Sequence, residues 1–190
     1  MGAGMKQRAT LQRRRDRGLT LLEVMIAMMI MFVGLLGLLA LFGTAVSATQ
    51  YAQQDLIAKQ KAREALEAIY SARDDSQVSF AQIQNDNVPL GIFKSGFQSL
   101  YRISPGSSGI LGTASEGPQL DYVYAPDANG QLTVQVPLTN YQRQIEIDPT
   151  FSNNGNVNDN LRMIKVTVRV AANAGQFRDY TVAGYISSYH

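Results

Sequence analysis

One carboxylate sits where carboxylates are costly. Glu23 stands immediately before Val24–Phe42, a run of apolar residues and glycine without a polar side chain. As a helix this run is about 30 Å long, enough to span the hydrocarbon core of a bilayer. Driven to the bilayer centre, a carboxylate costs roughly 2.5 to 3.5 kcal/mol, and less near the interface, so Glu23 calls for a positive partner. The chain offers little other chemistry. Cysteine is absent, which excludes thiol redox chemistry and a disulfide framework. The single histidine is His190, where a frayed tail is the plain expectation. Without Cys or further His no metal cluster is expected, and Ser107-Ser108-Gly109 has no paired base that would make a nucleophile. The Asn-rich stretch from Asn153 to Asn160 carries oxygens of the kind calcium takes. It has one carboxylate and no EF-hand spacing, and it reads as a solvated loop. No catalytic residue, cofactor or metal site is expected, so the reading is of a protein that is not an enzyme.

The charge is divided unevenly. Lys6, Arg8, Arg13, Arg14, Arg15 and Arg17 face only Asp16 in residues 1–18, a net of +5, so the rest of the chain sums to −3 within the overall +2. A free basic surface for nucleic acid is therefore not indicated. The basic cluster before the apolar run places the amino terminus in the cytoplasm and the remainder across the membrane, by the positive-inside rule. Two plainer readings compete. An ordinary secretory signal would be cut after Val46-Ser47-Ala48, but its apolar core is usually 7 to 15 residues and Glu23 would interrupt its start. A simple single-span anchor demands no particular residue at Gly18 and no carboxylate at Glu23.

These residues must be positioned by a long helix. From Thr44 to Arg73 there is neither proline nor glycine, and Ala48, Ala52, Leu56, Ala62, Leu66, Ile69 and Tyr70 recur near helical spacing between charges. One continuous helix of about 50 residues is expected, apolar all round in its first half and amphipathic in its second. Gly34, Gly37 and Gly43 lower its propensity by roughly 1 kcal/mol each relative to alanine. They read as close packing or tolerance, or as points where the helix loosens when subunits pack.

Beyond Asp74-Asp75-Ser76 the chain reads as irregular through about Pro118, with a short helix over Ser79–Gln84 and anchors at Phe80, Ile83, Ile92, Phe93, Phe97 and Tyr101. Ser104-Pro105-Gly106-Ser107-Ser108-Gly109 is turn-rich. Strands follow at Leu120–Ala125 and Gln131–Val136, joined through Asn129-Gly130, and at Tyr141–Asp148. Over Arg162–Val170, Ile164, Val166, Val168 and Val170 share one face, and Lys165, Thr167 and Arg169 the other. After Asn173-Ala174-Gly175 a last strand turns Tyr180, Val182 and Ile186 inward. The predicted core combines these with Leu66, Ile69, Ile145 and Ile147. The fold class is α+β, a long amino-terminal helix against an antiparallel sheet.

Arg17-Gly18-Leu19-Thr20-Leu21-Leu22-Glu23-Val24-Met25-Ile26-Ala27 closely resembles the class III signal of type IV prepilins and type II secretion pseudopilins, and the order of parts is that of pilins. Gly34-Leu35-Leu36-Gly37-Leu38 further resembles PilV-type minor pilins and, less closely, the I-type pseudopilins. The resemblance implies that prepilin peptidase cuts between Gly18 and Leu19, that Leu19 becomes an N-methylated terminus, and that Glu23 is the acid used in assembly. Leu19 departs from the phenylalanine commonest at that position. An ammonium at Leu19 lies on the same helical face as a carboxylate four residues on, so the two can neutralise each other within a subunit or between neighbours.

The implied organisation is a leader over 1–18, a transmembrane and filament-core helix over 19–45, and a periplasmic domain over 46–190. The implied partners are prepilin peptidase, other major and minor pilins or pseudopilins, the inner-membrane assembly platform and membrane lipid. The implied function is that of a minor type IV pilin in assembly initiation or at the tip of a pilus. A type II secretion pseudopilin and an anchored periplasmic binding domain are the alternatives.

Overall fold

The computed structural model describes residues 20–103, 109–148, 151–153, 156–172 and 175–188. The chain divides into two compact units, Met1–Ala48 and Thr49–His190. Helix α1, Leu21–Asp74, contributes to both. Its sequence is rich in Leu, Met and Ala and free of proline, and it runs uninterrupted through Gly34, Gly37 and Gly43. A methyl group added at any of those three glycines would meet nothing within 4 Å in this chain. In the first unit the hydroxyls within the helix bond back to its own carbonyls, Thr44 Oγ1 to Leu41 O (2.8 Å) and Ser47 Oγ to Gly43 O (3.0 Å).

In the second unit α1 buries Ala58, Ala62, Ala65, Leu66, Ile69 and Ala72, one face of a 3.6-residue helix. The expected stripe is corrected at its start. Leu56 is exposed because it lies about 200° around the helix from Ala58. Ala48 and Ala52 are exposed because burial against the sheet begins only at Ala58.

The sheet is α1's partner and the architecture is α+β and pilin-like. Four antiparallel strands lie in the order β1 (Gln98–Ser99), β6 (Tyr141–Asp148), β9 (Leu161–Ala171) and β10 (Phe177–Ser187). Ile145, Ile147, Ile164, Val166, Val168, Val170 and Ile186 are buried on its inner face, with Tyr180 and Val182 half-buried against them. Gly184 of β10 allows α1 to come close, since a Cβ there would fall 1.9 Å from Tyr70 Oη. Gly175, φ +74°, belongs to the turn between β9 and β10, while Asn173 and Ala174 lie outside the described residues.

The middle of the chain is more ordered than its composition suggests. A 3-10 turn forms at Phe80–Gln82, within the expected helical stretch, and Ser79 and Gln82 form a capping box around it. Ile83 and Phe93 are buried anchors, whereas Phe80, Ile92, Phe97 and Tyr101 are half-buried. Leu100, Ile110 and Leu111 join the core without having been foreseen. The expectation of an irregular chain to Pro118 is overturned by β1, by β2 (Tyr101–Ile103) and by β3 (Glu116–Leu120), which pairs with β2. These strands are two to five residues long and β3 contains Gly117 and Pro118, so they leave no alternating pattern to read.

The strand expected over Leu120–Ala125 is divided at Asp121. Its carboxylate turns to Lys61 Nζ of α1 (2.6 Å) and accepts from the Tyr122 amide (2.8 Å). Burial works against charge on Lys61, but its bonds to Asp121 and Glu64 outweigh that and raise its pKa. β4 (Tyr122–Pro126) and β5 (Leu132–Pro137) then form the expected hairpin as a separate two-stranded sheet. Gly130 supplies the positive φ (+79°), and Asp127 Oδ1 accepts from the amides of Asn129 (2.8 Å) and Gln131 (2.9 Å). The Asn-rich stretch, read as a loop, instead pairs β7 (Phe151–Asn153) with β8 (Asn156–Asn158). Asn154 and Gly155 lie outside the described residues.

Three polar side chains tie the middle segment to the sheet. Asn85 closes the edge of β6 that β1 leaves open, donating from Nδ2 to Ile145 O (2.7 Å) and accepting at Oδ1 from the Ile147 amide (2.9 Å). Arg143 occupies an inward position of β6 and pairs with Glu116, whose Oε1 also accepts from the Gly112 amide (2.9 Å). Arg162 of β9 is likewise inward, donating to Phe80 O and Ile83 O with its guanidinium over the Phe80 ring. A long charged side chain at a core position is accommodated when its donors are taken by carbonyls or a carboxylate.

Candidate processing and assembly site

The start of α1 is built around Thr20. The Glu23 amide donates to Thr20 O (3.0 Å) and to Thr20 Oγ1 (3.3 Å), so Thr20 caps the helix and Glu23 is its third residue. A carboxylate in the first turn also faces the positive end of the helix dipole. Thr20 is the site residue that the sequence reading passed over. Its signal was present as a Thr-x-x-Glu pattern directly before an apolar run, the sequence form of a capping box.

The surface that follows is apolar and uncovered. The large apolar side chains from Leu21 to Phe42 are 36–82% exposed. A monomer in water does not sustain such a patch. The helix is long and apolar enough to cross a membrane, and it fits a membrane anchor.

The expected site residues are divided by what the structure describes. Glu23 is placed, exposed on the first turn. Gly18 and Leu19 lie outside the described residues, as do the basic residues of 1–18. His190, Ser107 and Ser108 also lie outside them. Among the described residues no group of His, Cys, Asp and Glu is arranged to hold a metal ion.

Residues 13–39 match the model of the prokaryotic N-terminal methylation motif. The chain carries that motif. It covers the Gly18–Leu19 junction, Thr20, Glu23 and most of the exposed apolar helix, and it is the signal of type IV prepilin-like precursors. The methylation motif implies processing by prepilin peptidase and assembly with other pilins, the business of a structural subunit. No curated protein and no solved structure matches the chain.

Proposed function

We propose that this chain is a minor type IV pilin, cut between Gly18 and Leu19, N-methylated at Leu19, and built into a pilus during assembly initiation or at the tip. The observation that carries the reading is Glu23. It is a carboxylate in the first turn of an exposed apolar helix, four residues after Leu19 in the matched methylation motif. In this reading residues 19–45 are the span and later the filament core, and residues 46–190 are the periplasmic domain. The Leu19 ammonium of the same or a neighbouring subunit neutralises Glu23, and low dielectric makes that pair matter more than it would in water. The assembly platform draws the subunit from lipid, and the helix exchanges lipid contacts for those of other pilin helices.

Mass spectrometry of the protein purified from membranes tests the reading. A chain beginning at methylated Leu19 is expected. A terminus at Thr49, or an intact Met1 in cells that contain the peptidase, overturns it.

A further inference from the structure

Among the described residues the second unit leaves two strand edges open, and they complement each other. At β10 the Ala172 amide donates to Gln176 O (2.7 Å) and the Ser188 amide to Asn160 O (2.8 Å), at either end of an unbroken register. Even-numbered residues of β10 therefore bond β9, and the odd ones aim their N–H and C=O away from it. β10 is the last strand of the sheet. The other end of the sheet is closed by β1 and Asn85. Between Phe177 and Ala183 the free edge of β10 has no bulge and no proline, and its two charges are Arg178, paired with Asp55 of α1 (2.7 Å), and Asp179.

β5 supplies the matching half. The Leu138 amide donates to Asp121 O (2.8 Å), which continues the β4–β5 register, so Val134 and Val136 bond β4 while Gln135 and Pro137 face outward; the Thr133 amide is taken by Gln131 O (2.9 Å), which leaves its carbonyl as the outward group. Pro137 is thus a proline on the unpaired side of an edge strand. Every residue of β5 is exposed, including Leu132 at 65%, Val134 at 46% and Val136 at 42%. An alternating apolar row left in water on a two-stranded hairpin lacks its cover.

We propose that β5 of one copy of this chain adds antiparallel to β10 of a second copy, with Gln135 opposite Thr181. In that register Val134 meets Val182 and Val136 meets Tyr180, the half-buried apolar residues on the inner face of β10. Gln135 and Thr133 fall beside Thr181 and Ala183 on the outer, polar face. The two surfaces differ, so the contact is heterologous and passes from copy to copy instead of closing on itself. It uses neither the Gly18–Leu19 junction nor Glu23 and stands apart from the processing reading.

The absence of cysteine makes the test unambiguous. In the full-length protein in membranes, a variant carrying both Val134→Cys and Val182→Cys should give a ladder of dimers and higher multimers on mild oxidation. Each single variant should stay monomeric. Thr181→Pro removes an N–H that β9 does not use, together with the hydroxyl bond to Thr167 (2.9 Å), and should abolish the ladder, whereas Thr181→Ala, which loses only that bond, should keep it with the same thermal transition as Thr181→Pro. Gln135→Cys with Thr181→Cys, the opposed pair on the outer face, should give the same ladder, and adding Val134→Lys at the exposed β5 position is the second arm and should lose it. Monomer only from the double variant, dimers from Val182→Cys alone, or a ladder that survives Val134→Lys would each overturn the proposal.

Discussion

The Glu23 amide donates to the hydroxyl of Thr20 at 3.3 Å, so Thr20 caps the helix that carries the apolar run, whose first residue is Leu21. The cap and the carboxylate thus belong to one turn, and changing either residue tests a different property. Replacing a Thr cap by alanine costs about 1 kcal/mol of helix stability. Thr20→Ala should leave insertion unchanged and increase hydrogen exchange at the Leu22 and Glu23 amides in detergent micelles.

Glu23→Ala is expected to insert and be cleaved normally but to enter filaments poorly. Breaking a fully buried pair costs about 3 to 5 kcal/mol, enough to bias assembly strongly. For a plain anchor the same change should be neutral or improve insertion. Sheared-filament and membrane fractions probed for this subunit separate the outcomes, and wild-type incorporation would remove the role assigned to the carboxylate.

Arg143 and Glu116 are 4% and 1% exposed, and each leaves an unpaired buried charge if the other is removed. Glu116→Ala should lower the stability of the second unit by about 3 to 5 kcal/mol, read by chemical denaturation. Replacing both by apolar residues of similar volume should recover most of the loss. If Glu116→Ala melts with the wild type, the pair is not what ties the middle segment to the sheet.

Asn85→Ala leaves Ile145 O and the Ile147 amide without their partner. A loss of about 1 to 3 kcal/mol is expected for each buried group left unsatisfied. Ionised Asn85→Asp keeps the acceptor for Ile147 but loses the donor to Ile145, whereas its protonated form regains a donor in the O–H, so its deficit relative to the wild type should shrink as the pH is lowered.

At the hairpin turn the amides of Gln131 and Asn129 hold the Asp127 carboxyl below its ordinary value of 3.8. A depressed pKa means that the ionised form supports the turn. That support is full above the ordinary value and is lost as pH falls through the lowered one. Amide exchange at Asn129 and Gln131, corrected for its intrinsic pH dependence, should rise in acid well before the sheet unfolds, and Asp127→Ala should show the same loosening at neutral pH.

The strands that the sequence revealed are those whose two faces meet different media. Ile164, Val166, Val168 and Val170 alternate with Lys165, Thr167 and Arg169 because one side of β9 meets α1, so a truncated protein starting at Thr49 should unfold with Val166→Asp. Lys165→Asp on the other side should be tolerated. The hidden parts were those fixed by a distant partner. Arg143 and Arg162 look solvent-bound by residue type, yet they lie inward because Glu116, Phe80 and Ile83 meet them from the middle segment. At the processing site the apolar run and Glu23 were plain. Thr20 was equally legible, but a cap is hard to notice beside a costlier carboxylate.

The alanine face of α1 bears on how this domain carries mechanical load. Four of its six buried helix residues are alanines, which leaves Leu66 and Ile69 as the large apolar contacts. Toward the amino-terminal end, the Arg178–Asp55 pair (2.7 Å) and the bond from Arg178 to Gln54 (2.8 Å) tether the helix to β10. A pull applied through the anchored end of α1 reaches this tether first, and a polar tether yields at short extension while the apolar contacts behind it resist shear. Force along the helix should therefore be met first at Arg178, then at the Lys61–Asp121 pair (2.6 Å), before the alanine face slides over the sheet.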